Sequence, residues 1–307
     1  MTNLSKNLRE KLNEQFEIRP IAQDLIQKGS DGTVKVRFKT YDGHLIEGVL
    51  IPTEFRITAC ISSQSGCSLR CRFCATGFLE LERNLDAAEI YDQVAMLNQI
   101  ALKNFERPLS NIVYMGMGEP LLNYGNVVHS IHLLTDETGL DMSPRRLTIS
   151  TAGVVKAIKR LSEEKLKVNL ALSLHAVTNE TRNEIMEINR SNPIEDLISS
   201  LSIYHLKTKS KVSFEYILFE ELNDSIEDAA ALARLSRQVP AFVNLIEYNT
   251  IEKVSYKKSG TKRRERFISY LESQGVTAKF RVSRGRDIDA ACGQLANKQN
   301  AATILNH

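Results

Sequence analysis

No apolar run in this 307-residue chain is long enough to cross a bilayer. The opening MTNLSKNLREKL is charged and amphipathic, unlike the apolar core of a secretory signal. Both absences predict a cytoplasmic protein with no membrane partner. An excess of one charge is missing too: 40 Lys and Arg face 37 Asp and Glu, a formal net charge of +3. Any nucleic-acid contact must therefore be made by a local basic patch. No low-complexity segment or long linker interrupts the chain. Cysteine is sparse, at five residues. In a reducing cytosol those thiols suit metal binding or catalysis better than structural disulfides. What is present is an ordinary globular composition, 42% hydrophobic and 25% charged. The length allows one large α/β barrel or two ordinary domains.

Four of the five cysteines fall in Cys60-Ile-Ser-Ser-Gln-Ser-Gly-Cys67-Ser-Leu-Arg-Cys71-Arg-Phe-Cys74. Cys67, Cys71 and Cys74 stand at Cys-x-x-x-Cys-x-x-Cys spacing, which lets them converge on one metal centre. A structural zinc site takes four ligands, and neither a second cysteine pair nor a nearby histidine supplies the fourth. A four-iron cluster takes one thiolate per iron, so three thiolates leave one iron open to a small molecule. Phe73 would shield such a cluster from water. The alternatives are a zinc knuckle short of a ligand, or unrelated reduced thiols.

Leu4, Leu8, Leu12, Ile21 and Leu25 recur at helical spacing and predict a helical segment over residues 1–28. The abrupt opening reads as if a preceding helical element were absent. TVKVRFKTYDGHLIEGVLIP then alternates around Asp42-Gly43, a hairpin signal, and a strand from Arg56 to Ser62 runs into the cysteines. Six apolar runs follow, starting with ITACISS and continuing through NIVYMG, RLTIST, VNLALSL, VSFEYIL and FVNLIEY. Helical segments separate them, one opened by an Asp86/Glu89 capping box. Six strand-helix units imply a parallel sheet curled into a partial (βα)6 barrel, with AKFRVS (278–283) as an added edge strand. The expected organisation is a helical remnant over 1–30, a small β-hairpin cap over 31–56, the barrel over 57–250 and a C-terminal extension over 251–307.

Parallel barrels carry their chemistry at the C-terminal ends of the strands. Polar or small residues recur there: the cysteines, then Met115-Gly-Met-Gly-Glu119-Pro, Ser150-Thr-Ala-Gly, Ser173-Leu174-His175 and Tyr248-Asn249. Gly116 and Gly118 allow close backbone approach, and Glu119 can accept from an ammonium group, although a plain turn would read the same way. Ser150 and Ser173 suit a ribose or carboxylate, or simply cap helices. His175 suits stacking beside a cofactor, or a backbone-satisfied place in the rim. Asn249 suits an adenine edge, or a turn. Cys292 follows the last strand in a loop flanked by Gly285 and Gly293, read as mobile and able to present its thiol to the same rim.

The cysteine spacing with its aromatic resembles the radical S-adenosylmethionine (SAM) superfamily. That resemblance implies a [4Fe-4S] cluster on Cys67, Cys71 and Cys74 and SAM on the open iron. It also implies a SAM site drawing on Gly118, Glu119, Ser150, Ser173, Leu174, His175 and Asn249. RDIDAACGQL, ISSQSGCSLRCRFC, MGMGEPLLN, SPRRLTIST and SLH together resemble, from about residue 30 to about 297, the radical SAM methyltransferases of adenine C2 in RNA. The sister branch, which methylates C8 of the same rRNA adenine, typically has Ala where Pro120 stands and lacks the Ser-Arg-Gly at 283–285.

The resemblance implies C2 methylation of adenine 2503 in 23S rRNA and of adenine 37 in tRNAs. It implies Cys292 as an S-methylcysteine carrier and Cys60 as the resolving thiol that closes a transient disulfide. Cys60 and Glu47 are the two candidate proton acceptors. Two SAM per turnover and an electron-donating reductase are implied as well. Adenine C2 is an electron-poor carbon without a lone pair, which is why displacement on SAM cannot serve. Lys257 to Arg266, with Arg145, Arg146, Arg281, Arg284 and Arg286, are expected to hold phosphates. The family usually carries an N-terminal helical accessory domain, nearly all of it missing here, and often has Pro where Glu247 stands. The rival readings are C8 methylation and a non-catalytic, zinc-containing RNA-binding protein.

Overall fold

Residues 4–15 and 21–298 are described in a computed structural model of the chain. Positions 1–3 and 16–20 of the expected N-terminal segment, and 299–307 of the C-terminal extension, lie outside the described residues. In chain order the strands are β1 (Ala22–Lys28), β2 (Val34–Lys39), β3 (Leu45–Pro52), β4 (Ile57–Cys60), β5 (Gln64–Ser65), β6 (Arg83–Asn84), β7 (Asn111–Tyr114), β8 (Leu147–Thr151), β9 (Asn169–Ser173), β10 (Val212–Leu218), β11 (Ala241–Glu247) and β12 (Ala278–Arg281). The helices are α1 (Lys6–Gln15), α2 (Ala87–Phe105), α3 (Tyr124–Thr135), α4 (Val155–Leu161), α5 (Asn179–Ile185), α6 (Ile194–Thr208), α7 (Ile226–Gln238) and α8 (Thr261–Ser273).

Ten strands make one sheet in the order β1-β2-β3-β4-β7-β8-β9-β10-β11-β12. Pairing is antiparallel from β1 to β4 and parallel from β4 to β12. The six strand-helix units read from the sequence form the parallel part, and AKFRVS is its edge strand. Parallel strands lie between layers and so need apolar residues on both faces. All seven residues of β10 are buried. Helix α2 starts where expected, the backbone N–H of Asp86 donating to Glu89 at 2.9 Å, and turns Ile90, Val94 and Leu97 into the core. Each such fully buried aliphatic side chain contributes about 1.5–3 kcal/mol.

Two expectations change. Residues 22–28 are the edge strand β1, where a continuation of the helical segment was expected. The register of β1 on β2 slips between Gln23 and Leu25. That bulge breaks the two-residue alternation by which a strand is recognised, and Ile21 and Leu25 fall by chance at helical spacing. The 31–56 hairpin turns at Asp42-Gly43 as expected. It is continuous with the barrel, because β3 pairs with β4 from Val49↔Cys60 to Pro52↔Ile57.

The segment after β12 crosses to the other side of this incompletely closed sheet. Gly285 N–H donates to Asp31 at 2.9 Å, Lys35 Nζ lies 3.4 Å from the Asp289 carbonyl, and the N–H groups of Ala296 and Asn297 reach Glu47 on β3. Residues 285–297 thus run alongside β2 and β3 and carry Cys292 into the barrel mouth.

Candidate active site

The cysteine loop leaves the C-terminal end of β4. Cys74 N–H donates to the Cys71 carbonyl at 3.2 Å, Arg72 N–H to Ile185 at 3.0 Å and Gly77 N–H to Cys74 at 2.9 Å. These bonds fold the loop back on itself. Cys67, Cys71 and Cys74 are half-buried, and Cys71 and Cys74 pack against an apolar cluster that includes Phe73, Ile185, Met186 and Phe219. The Phe73 ring meets the edge of His175 at 4.8 Å and lies 5.9 Å from Phe219. Burial pushes the Cys67 thiol up to about 11. Burial, and then Cys74 and Cys67, push Cys71 well above the ordinary thiol range. Burial raises Cys74 as well, against hydrogen bonds from Gly77 and Thr76.

Thiols packed this way resist ionisation until a cation compensates them, which is how coordination deprotonates cysteine. Three thiolates fall one short of a structural zinc site, while a four-iron cluster takes one thiolate per iron and can leave one iron open. The donor set and its dry, aromatic shell therefore fit the cluster.

The rim residues come together beside that loop. A Cβ on Gly116 would meet the Ile61 backbone at 2.7 Å, and Gly118, at φ +92°, would bring one within 2.5 Å of Gln64. Only glycine lets this turn approach the cysteine loop so closely. Buried Glu119 accepts from Leu121 N–H at 3.0 Å and Ala152 N–H at 2.7 Å. Burial raises its carboxyl pKa, and those bonds oppose the rise. Its charge is felt at Cys67 and Cys71, and the carboxylate keeps lone pairs to spare for a further donor.

Ser150 and Ser173 cap no helix: Val154 caps α4 and Thr178 caps α5. Leu174 is buried, and its backbone N–H donates to the Glu215 carbonyl at 3.0 Å. His175, at φ +54°, accepts from Ile217 N–H through Nδ1 at 3.1 Å, which leaves the proton on Nε2. Burial, and then Arg182, lower its pKa to about 3. The ring is thus satisfied by backbone and also set edge-to-face against Phe73.

Arg182 carries no signal in the sequence, yet it is fully buried. It donates to the carbonyls of Leu174 at 3.0 Å, Ala152 at 2.5 Å and Ser173 at 3.2 Å. One guanidinium thereby fixes the ends of β8 and β9, which carry Ser150 and Ser173.

Cys292 joins this rim from the far end of the chain. Gly293 accepts from Ala75 N–H at 2.7 Å, and a Cβ on Gly293 would come within 3.3 Å of the Phe73 carbonyl and 3.9 Å of Cys74 Cα. Thr76 donates to the Leu295 carbonyl at 2.6 Å, and Asn249 Nδ2 to the Cys292 carbonyl at 3.1 Å. Asn249 Oδ1 is buried without a partner. The loop expected to be mobile is tied on both sides of its cysteine. Cys292 is exposed. Its surroundings, then Cys74 and Glu215, push its thiol up, with Arg281 opposing. Cys60 is buried and raised to about 12 by burial and then by Cys292. Cys292 and Cys60 are electrostatic neighbours.

Glu47 is fully buried, where a strand carboxylate is ordinarily solvated. Its Oε1 is 3.4 Å from Lys35 Nζ, and its Oε2 accepts from Ala296 N–H at 2.9 Å and Asn297 N–H at 3.1 Å.

The expected phosphate contacts divide. Arg145 and Arg146 precede β8 and so sit at the opposite end of the sheet from the rim. The expectation that they lie near the rim fails on strand direction. Arg281 faces Glu215 at 3.9 Å. Arg286 pairs with Glu247, which also meets Lys258 at 3.4 Å, so the residue standing where Pro was expected anchors the loop of Cys292. Arg263 is held by Asp224 at 2.8 Å and Arg264 lies over the Phe280 ring at 4.3 Å. That leaves Lys257, Lys262 and Arg266 as the basic surface of this stretch.

A parallel α/β partial barrel with three cysteines in the loop after its first parallel strand defines a radical SAM protein, and residues 61–233 match the radical SAM superfamily. The chain is similar to the probable dual-specificity RNA methyltransferases RlmN of Flavobacterium psychrophilum and Christiangramia forsetii. The first is 50% identical over 299 residues, 97% of this chain and 86% of the relative. The second is 50% identical over 298 residues, 97% and 85%. The crystal structure of a radical SAM methyltransferase from Sphaerobacter thermophilus superposes with a TM-score of 0.91 at 41% identity, over 95% of this chain and 86% of that one. The chain belongs to the dual-specificity RNA methyltransferase family within that superfamily and is an RNA methyltransferase. No helix among the described residues is long and apolar enough to cross a membrane.

Proposed function

We propose that this chain methylates C2 of adenine in RNA, at adenine 2503 of 23S rRNA and adenine 37 of tRNAs, with Cys292 as methyl carrier and Cys60 as resolving thiol. The observation that carries this reading is the packing of the Cys292–Gly293 turn, from the far end of the sequence, against the cysteine loop: Gly293 O accepts from Ala75 N–H at 2.7 Å and a Cβ on Gly293 would lie 3.9 Å from Cys74 Cα.

Cys67, Cys71 and Cys74 hold a [4Fe-4S] cluster, and Glu119, Ser150, Ser173 and Asn249 line the place of SAM. Cys292 takes a methyl group from one SAM. When bound, the cluster and a second SAM supply hydrogen-atom abstraction from that sulfur-bound methyl. Phe73 and its neighbours keep water from the site, and Asn249 and Ala75 hold the Cys292 backbone in register. The carbon on Cys292 bonds to C2 of the base, and a proton acceptor takes the C2 hydrogen. Cys60 then attacks the Cys292 sulfur; the released methylene takes up a proton to become the methyl group, the odd electron left by the radical addition would pass back to the cluster when it is bound, and a disulfide remains for an electron-donating reductase to open. Both oxygens of Glu47 are engaged by Lys35 and the carrier segment, which favours Cys60 over Glu47 as that acceptor.

The test is mass spectrometry of nuclease-digested rRNA and tRNA from cells with and without the gene. Loss of 2-methyladenosine on deletion is expected. Loss of 8-methyladenosine instead would reassign the reaction, and unchanged RNA from both strains would refute it.

A further inference from the structure

Glu215 stands in the middle of β10, a strand buried along its whole length. Phe214 and Tyr216, its neighbours in sequence, face the outer layer, where the Tyr216 ring lies 5.7 Å from Phe267 of α8. Alternation turns Glu215 into the barrel. Its Oε1 accepts from Ser213 Oγ at 2.8 Å and from Asn244 Nδ2 at 2.7 Å. Its Oε2 is buried and accepts no hydrogen bond. The nearest cation, Arg281 Nη1, is 3.9 Å away, a charge contact beyond hydrogen-bond length. Two donors pin one oxygen, so the carboxylate cannot turn the other elsewhere. A buried acceptor left open costs stability unless something arrives to satisfy it. Glu215 is 3% exposed and lies close enough to Cys292 for its charge to act on the thiol.

Building on the C2-methylation reading, we propose that the open oxygen of Glu215 accepts a hydrogen bond from the exocyclic 6-amino group of the target base, and so selects adenine. An ionised carboxylate only accepts. Adenine carries its amine on the same edge as N1 and C2. Guanine puts an acceptor at that position, facing the carboxylate, and an amine on the carbon to be methylated. A site that hydrogen-bonds a substrate N–H discriminates strongly against analogues lacking it, because its own polar group is then left unpaired. The rival donor is a hydroxyl or amine of SAM, since Ser173 pairs with Glu215 across the sheet.

The experiment uses cluster-reconstituted enzyme under anaerobic conditions and an rRNA hairpin carrying adenine, purine or hypoxanthine at the target position. Competition anisotropy reads the affinity for each hairpin, and equilibrium dialysis reads SAM binding. Wild type is expected to prefer adenine over purine by roughly 10- to 100-fold, the worth of one hydrogen bond to a buried charge. Glu215→Ala should bring the two within about threefold while SAM affinity stays within about threefold of wild type. In Glu215→Gln, Ser213 and Asn244 demand the amide carbonyl, which aims the NH2 at the base. Preference should then turn toward hypoxanthine. Iron content and thermal melting report folding, and the Gln variant decides if the Ala variant does not fold. An unchanged adenine preference in the folded variants overturns the proposal. So does a loss of SAM affinity with base preference intact, which gives the oxygen to the cofactor. Wild type unable to form 2-methyladenine would refute the functional reading itself, a separate outcome from either.

Discussion

Lys35→Met tests how the carrier loop is held. Lys35 and Glu47 are 3.4 Å apart with side chains 3% and 1% exposed, and each also touches the carrier segment: Lys35 at Asp289 O, Glu47 at the N–H groups of 296 and 297. Removing one partner of a buried pair strands the other charge, at a cost of about 3–5 kcal/mol. At about 2 °C per kcal/mol for a chain of this size, the melting temperature should fall by about 6–10 °C. The protein has an escape. The ties at Ala75, Thr76 and Asn249, at about 1 kcal/mol each, sum to about 3 kcal/mol. Lifting the segment off and wetting Glu47 therefore costs about as much as keeping the carboxylate buried alone.

Amide exchange at Ala75, Ala296 and Asn297 should accelerate in the variant, and methyl transfer should drop about 100-fold, as a misplacement near 1 Å can produce. Lys35→Met/Glu47→Gln removes both charges and keeps an acceptor for the two N–H groups, so most of the stability should return. If methyl transfer returns with it, Glu47 positions the loop; if only stability returns, Glu47 is the proton acceptor. Melting of Lys35→Met within about 1 °C of wild type, with unchanged exchange, would falsify the reasoning.

Cys292→Ala should keep its iron and lose all methyl transfer, read by metal analysis and by mass spectrometry of the RNA; loss of iron would show that the residue was misassigned. Cys60→Ala should accumulate a covalent protein–RNA adduct on denaturing gels, and normal release of methylated RNA counts against its resolving role. His175 is held neutral down to about pH 3, while the unfolded chain protonates it below its ordinary pKa of 6.5. Its contribution is intact above pH 6.5 and is lost as the pH falls from 6.5 toward 3, at about 1.4 kcal/mol per unit. The melting temperature should therefore fall between pH 7.5 and 5, and His175→Asn should flatten that dependence on pH. Arg182→Met leaves the carbonyls at the ends of β8 and β9 without their donor; the expected result is a melting temperature lower by several degrees together with weaker SAM binding, and unaltered SAM binding would detach Arg182 from the rim.

The rim is legible in the sequence because two periodicities coincide there. Parallel strands write themselves as apolar runs, and their catalytic ends break the run with Ser150, Ser173, His175 or Asn249. Cysteine spacing then marks which end matters. Strand direction carries as much information as strand position: Arg145 and Arg146 enter β8 at its N-terminal end, and that alone removes them from the site. Other features are opaque for physical reasons. A bulge between Gln23 and Leu25 erases the alternation of β1. Arg182 lies in a short helix whose polar pattern looks solvated, and its burial depends on carbonyls 30 and 9 residues away in sequence.

Lys35, Glu47 and Glu215 are of a third kind. Each is a charge inside a strand whose neighbours are apolar, a placement that hydrophobic patterning alone disfavours. All three bear on one loop: two of them grip its backbone, and the third acts on its thiol through charge. A folding sequence departs from its own pattern mainly where function demands it. The charged residues of the buried strands therefore outline the path of Cys292 as clearly as the cysteines outline the cluster. In the run VSFEYIL, Glu215 is the single residue that breaks the pattern with a charge, and it is the one left with an acceptor to offer.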